Sequence, residues 1–113
     1  MNNTKEVITD IIRKLSDKEF QINVWINNLY WDPILNFGEA VNTLDDYSFF
    51  ERKELEKIFF TEKLISIDEL IEFGERLERF EEPEDLSDLH KDLNWIEIMR
   101  KAEDIQMKIN KPL

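Results

Sequence analysis

Phe20-Gln21-Ile22-Asn23-Val24-Trp25-Ile26-Asn27-Asn28-Leu29-Tyr30 is the stretch on which the fold class turns. Phe20, Ile22, Val24 and Ile26 alternate with Gln21, Asn23, Trp25 and Asn27, which is the period of a half-buried strand in residue types that favour β structure. The same residues also read as a helix, through Ile22, Trp25, Ile26, Leu29 and Tyr30. Two observations outside the stretch decide between them. Upstream, Ser16-Asp17-Lys18-Glu19 spells a capping box, in which a hydroxyl and a carboxylate satisfy the free amides of a new helix start. No second strand is evident for the stretch to pair with. The expectation is a helix here and an all-α protein.

The rest of the chain supports that class. Val7, Ile8, Ile11, Ile12 and Leu15 recur at three- and four-residue steps between charges, predicting an amphipathic helix from near Thr4. Asp32-Pro33 reads as a helix opening, with Asp32 as N-cap and Ile34, Phe37, Gly38, Val41 and Leu44 on one face. Asp45-Asp46-Tyr47-Ser48 interrupts the pattern, and a charged helix is expected over residues 49–60. Ser66-Ile67-Asp68-Glu69 is a second capping box, launching Leu70, Phe73, Gly74, Leu77 and Phe80. Glu81-Glu82-Pro83-Glu84-Asp85 must be a loop, because Pro83 cannot continue a helix. The last helix is expected from about Leu86 to Ile109, with Lys108 and Lys111 at its C-terminal end and Pro112 as its stop. The architecture so predicted is one domain over residues 1–113, a single compact bundle of about five to six helices. Asp32–Glu39 also aligns with Asp68–Glu75 at a fixed offset, which raises an internal helical repeat with Gly38 and Gly74 as close-packing positions.

Charge is the strongest compositional signal. Twenty-six acids against fifteen bases leave a formal net charge of −11. Residues 20–51 carry Asp32, Glu39, Asp45, Asp46 and Glu51 with no Lys or Arg, and residues 62–92 carry twelve acids against four bases. Localised negative charge of that size repels like molecules and steers positive partners. The hydrophobic fraction of 42%, with eight Phe, three Trp and two Tyr, is enough to fill a core, so disorder is not expected. A chain of this length buries about two-thirds of its unfolded surface. Cysteine is absent, which excludes disulfides, zinc–thiolate sites and thiol catalysis. No membrane-length apolar run or signal-peptide pattern occurs, so the expected location is the cytoplasm.

The residues offer little catalytic chemistry. His90 is the only histidine, which rules out a multi-histidine metal site and favours a structural role. The pairs Asp45-Asp46, Glu81-Glu82 and Glu84-Asp85 lack the spacing and the glycine of a calcium loop. There is no glycine-rich phosphate loop and no basic stripe, so neither a cofactor nor direct nucleic-acid binding is expected. Tyr30-Trp31-Asp32 and Asp45-Asp46-Tyr47 instead mix aromatic and acidic groups, a composition suited to docking on a basic protein. The alternative for the same residues is structural, Asp32 capping a helix and Tyr47 packing a loop.

Small size, absence of cysteine, an aromatic-rich helical core and a strong acidic excess together resemble the bacterial immunity proteins. These are cytoplasmic inhibitors of colicin-type or contact-dependent-inhibition toxins. The resemblance is one of type over the whole chain, without a shared motif. It implies a non-enzymatic inhibitor that binds one cognate toxin domain, often a basic nuclease, and that is a monomer or weak dimer when alone. The expected partner-binding residues are Asp45, Asp46, Tyr47, Glu81, Glu82, Glu84 and Asp85, with Trp31 and Asp32 second. Two other readings stay open: a structural or regulatory subunit that oligomerises through an apolar face, and an acidic DNA mimic using Asp68, Glu69, Glu72, Glu75 and Glu78.

Overall fold

The computed structural model describes residues 3–110. The expected terminal roles of Lys111 and Pro112 fall outside them. The first helix, α1 (Thr4–Leu15), buries Ile8, Ile11, Ile12 and Leu15 on one face, as its spacing requires. Ser16 keeps a helical backbone (φ −94°, ψ −5°), because its amide continues the α1 ladder to the carbonyl of Ile12. Asp17 is therefore the first extended residue, and its Oδ1 accepts the amide of Phe20 at 3.0 Å. The cap of the second helix is Asp17 rather than Ser16, one residue later than the capping-box pattern implies.

The stretch that decides the fold is helical, but only in part and not as an α-helix. A single α turn, α2 (Lys18–Phe20), passes directly into a π-helix over Gln21–Ile26. The amide of Asn27 donates to the carbonyl of Ile22, five residues back, at 2.9 Å. Ile22, Val24 and Ile26 are β-branched and crowd the preceding turn of an α-helix, and the chain adopts the wider ladder here. Gln21, Val24 and Trp25 turn inward. Asn28 then takes a left-handed conformation (φ 52°), which asparagine tolerates better than most residues, and ends the helix. Leu29 and Tyr30, expected on the inner helical face, stand in solvent instead.

The predicted opening at Asp32-Pro33 does not form. Asp32 Oδ1 accepts the amide of Ile34 at 2.9 Å, and the indole N–H of Trp25 donates to the carbonyl of Ile34 at 2.9 Å. That tertiary bond takes the carbonyl that a helix beginning at Pro33 would need for its own ladder. Asn36, fully extended, becomes the cap by accepting the amide of Glu39 at 2.8 Å, and α3 runs Phe37–Asp46. Ser48 has φ 64°, and the expected helix over 49–60 shrinks to α4 (Arg52–Ile58).

Both halves of the second capping box are present. Ser66 Oγ accepts the Glu69 amide at 3.1 Å, and Glu69 Oε1 accepts the Ser66 amide at 3.3 Å, starting α5 (Ile67–Arg79). Residues 80–85 form the predicted loop. The long last helix is broken at Asp92 into a 3₁₀-helix (Leu86–Lys91) and α6 (Leu93–Asn110). Asp92 Oδ1 accepts the amides of Asn94 and Trp95 at 2.8 and 3.1 Å, so it caps α6. Leu93, expected inside, is 78% exposed, while Trp95, Ile98, Ala102 and Ile105 are buried.

The result is an all-α bundle with no strand among the described residues. α1 packs along α6, α5 and the 3₁₀-helix also rest on α6, and α3 and α4 close the sides. One buried cluster draws on every helix and on Ile34, Phe49, Phe59 and Ile65 between helices. Trp95 is at its centre, with ring centroids of Trp25, Phe37 and Phe80 at 5.9, 5.5 and 5.0 Å. Gly74 meets its expected role: a Cβ there would be 3.1 Å from Phe50 Cδ1 and 3.4 Å from Phe49 Cε2. Gly38 does not, since it lies exposed in the first turn of α3 with only Asn36 Oδ1 near. The repeat fails as structure, because Asp32–Asn36 is turn and coil whereas Asp68–Glu72 is helix.

Candidate protein-binding surface

The expected binding residues separate into an apolar loop and two acidic segments. The loop spans residues 27–36 and exposes Leu29 (67%), Tyr30 (52%), Trp31 (73%) and Leu35 (38%). The π-helix that leads into it carries a buried polar node at Gln21, which is fully enclosed. The Gln21 Nε2 group donates to the carbonyls of Lys14 and Leu15, each at 3.0 Å. Its Oε1 accepts from Trp95 Nε1 at 3.0 Å and lies 2.7 Å from His90 Nε2. An amide oxygen can only accept, so His90 carries its hydrogen on Nε2 and donates. Burial and then the Lys18 charge push the His90 pKa down, keeping the ring neutral near pH 7. The lone histidine thus has a structural role, bridging the 3₁₀-helix to the π-helix through Gln21.

Two bonds join the π-helix to the loop and a third joins α1 to it. The Leu29 amide donates to the Asn23 carbonyl at 2.7 Å, Trp25 ties down Ile34, and Asp32 pairs with Lys14 at 3.0 Å. Lys14 also meets Asp10 at 3.2 Å and lies 5.4 Å from the centre of the Phe20 ring. Burial raises the Asp10 carboxyl, but the hydrogen bonds from Arg13 and Lys14 outweigh it and leave the pKa lowered. Asp32 is therefore an internal tie as well as a candidate contact, and Trp31 beside it is the only strongly exposed tryptophan, Trp25 and Trp95 being 4% and 0% exposed.

The first acidic segment closes α3. Asp45 and Asp46 are exposed in its last turn, and Tyr47 is half-buried against the core as the C-cap. A helix C-terminus carries negative partial charge, so carboxylates there oppose the dipole, and α3 has no basic residue in that turn to offset them. The second segment is the loop with Glu81, Glu82 and Glu84 exposed. Among the described residues, the carboxylates of Asp45, Asp46, Glu81, Glu82 and Glu84 have neither an ion pair nor a hydrogen bond. Asp85 differs. It accepts the hydroxyl and amide of Ser87 at 2.7 and 3.0 Å, which caps the 3₁₀-helix and holds its carboxyl below the usual range.

Three acids of α5 behave otherwise, while Glu75 and Glu78 stand exposed and without an ion pair or side-chain hydrogen bond among the described residues. Asp68 pairs with Arg52, Glu72 with Arg76, and Glu69 with Lys101 and Lys108. Burial raises the Glu69 carboxyl, but the bonds from Lys108 and Lys101 outweigh that and bring its pKa to about 2. Asp68 thus ties α5 to α4 and Glu69 ties it to α6, while Glu72 pairs within its own helix. Among the described residues no cluster of three or more His, Asp or Glu could hold a metal ion, and no helix is long and apolar enough to cross a membrane.

Leu29 is the surface residue here that sequence reasoning misses, whereas Tyr30 is read both ways, on the helical face and in the Tyr30-Trp31-Asp32 docking composition. The Asn27-Asn28 pair was the available signal, since asparagine readily leaves the helix in a left-handed turn. The chain matches no known protein family, no curated protein and no solved structure.

Proposed function

We propose that this protein is a non-enzymatic inhibitor of the immunity type, which binds a basic toxin domain of the nuclease kind in the cytoplasm and neutralises it. The observation that carries the reading is the placement of Asp45 and Asp46. They lie unpaired among the described residues at the negative end of α3, where they cost stability rather than add it. Glu81, Glu82 and Glu84 are likewise unpaired there and exposed. Groups held against local stability are the ones a partner would use, and a cationic protein surface is the partner that this charge selects.

Affinity capture with tagged protein from its native host tests the reading. The expected result is a stoichiometric basic protein that binds at low salt, binds less at high salt and loses its toxic activity in the complex. Recovery of an acidic or neutral partner whose binding ignores salt would overturn it.

A second reading, a subunit that oligomerises through an apolar face, is favoured by the exposure of Leu29, Tyr30 and Trp31. It predicts a stable oligomer of the pure chain in sedimentation. The DNA-mimic reading is weakened by Arg76 and Arg79, which interrupt the acids along α5.

A further inference from the structure

We infer that Leu29, Tyr30 and Trp31 form a pre-organised apolar anchor that seats an Arg- or Lys-bearing patch of the basic partner, an inference that rests on the proposed inhibitory function. Three consecutive large apolar side chains are exposed together, two of which, Leu29 and Tyr30, also fit the apolar face of a helical reading. The loop is nevertheless held in place. Its entry is fixed by the Leu29 amide on Asn23, its middle by Asp32 on Lys14, and its exit by the buried Ile34, whose carbonyl is held by Trp25. A tip fixed in this way loses little conformational freedom on docking, and tryptophan and tyrosine are the residue types that most often dominate interface energies.

Charge selects the occupant. The tip lies within residues 20–51, which contain five acids and no Lys or Arg. Two bases, Arg13 and Lys14, line the adjoining cleft with Asp17, Glu19, Tyr30 and Asp32, and both are already paired, with Asp10 and with Asp10 and Asp32 respectively. A second copy would bring another chain of charge −11 against this one. A guanidinium or ammonium group, in contrast, can stack on the indole and phenol faces.

Trp31 supplies the probe, because Trp25 and Trp95 are buried. The intact protein is titrated with a synthetic peptide of alternating Arg and Leu while tryptophan emission and acrylamide quenching are followed. The expected result is a blue shift with protection from acrylamide, absent in Trp31→Phe. Replacing Leu29, Tyr30 and Trp31 together by Ser should weaken binding about tenfold or more, read by calorimetry, with helical content unchanged by circular dichroism. If the serine variant binds like the native chain while Asp45→Asn/Asp46→Asn weakens binding, the anchor is wrong and the acidic reading stands. If the native chain does not bind the cationic peptide at all, both fail. If the pure chain sediments as a dimer that the serine variant abolishes, the occupant is a second copy and the inference is overturned.

Discussion

Residues 27–36 and residues 80–85 both cross the surface between helices and both expose side chains to solvent, but different forces hold them. The first is apolar at its tip and tied by Trp25, Asn23 and Lys14. The second is acidic and proline-bearing, anchored at one end by the Phe80 ring, which packs on Phe37 and Trp95, and at the other by the Asp85 cap. A loop of charges needs only solvent and a stop signal. A loop that presents tryptophan must be held in position by buried bonds, and those bonds are where its shape is decided.

Substitutions can break this contrast in order of size. Gln21→Leu should do the most damage, since it leaves the Trp95 indole, the His90 ring and the Leu15 carbonyl without their partner, while the Lys14 carbonyl keeps only the Asp17 amide. At about 1–3 kcal/mol for each buried group left unpaired, the loss in urea unfolding should be about 3 kcal/mol or more. Trp25→Phe keeps most of the ring but orphans the Ile34 carbonyl, with an expected loss of about 1–3 kcal/mol and faster hydrogen exchange of the Leu29 amide.

Two titrations sharpen the picture. Glu69, with its pKa lowered from 4.5 to about 2, adds stability that is complete above pH 4.5 and is lost as pH falls from there toward 2. Unfolding curves taken across that range should show the decline, and Glu69→Gln should flatten it. His90, lowered from 6.5, contributes in the same sense at higher pH, because the folded state disfavours the charged ring. Stability should start to fall as pH drops below 6.5, and His90→Gln should remove that early part of the loss. The smallest effect belongs to the acidic loop: reversing Glu81, Glu82 and Glu84 to Lys should change stability by no more than about 0.5 kcal/mol, since nothing in the fold leans on them.

The same contrast explains what the sequence made legible. α1 and α5 follow from one-faced periodicity and, for α5, from a capping box whose two partners are three residues apart. Pro83 announces the acidic loop without outside help. Residues 20–36 were harder because their outcome is set at a distance. The indole of Trp25 takes a carbonyl nine residues on, and Gln21 meets Trp95 across most of the chain. No local pattern encodes either bond. The break at Asp92 was hidden for another reason: Leu93 extends the apolar spacing although it lies outside, so the cap at Asp92 read as mid-helix. Of the candidate site, the unpaired acids lie exposed, Asp32 and Asp85 also hold local structure, Leu29 lies on the opposite side of the surface from its helical reading, and Tyr30 follows the second of its two readings.

The measurement that tests the central claim most directly is a paired one on Asp45→Asn/Asp46→Asn, recording stability by urea unfolding and affinity for the captured basic partner in the same buffer. If these carboxylates are kept for a partner, the two readings move in opposite directions. Stability should rise by about 0.3–1 kcal/mol for each charge removed from the end of α3, and binding should weaken, most of all at low salt. A variant that is less stable, or that binds as tightly as the native chain at every salt concentration, would contradict the account.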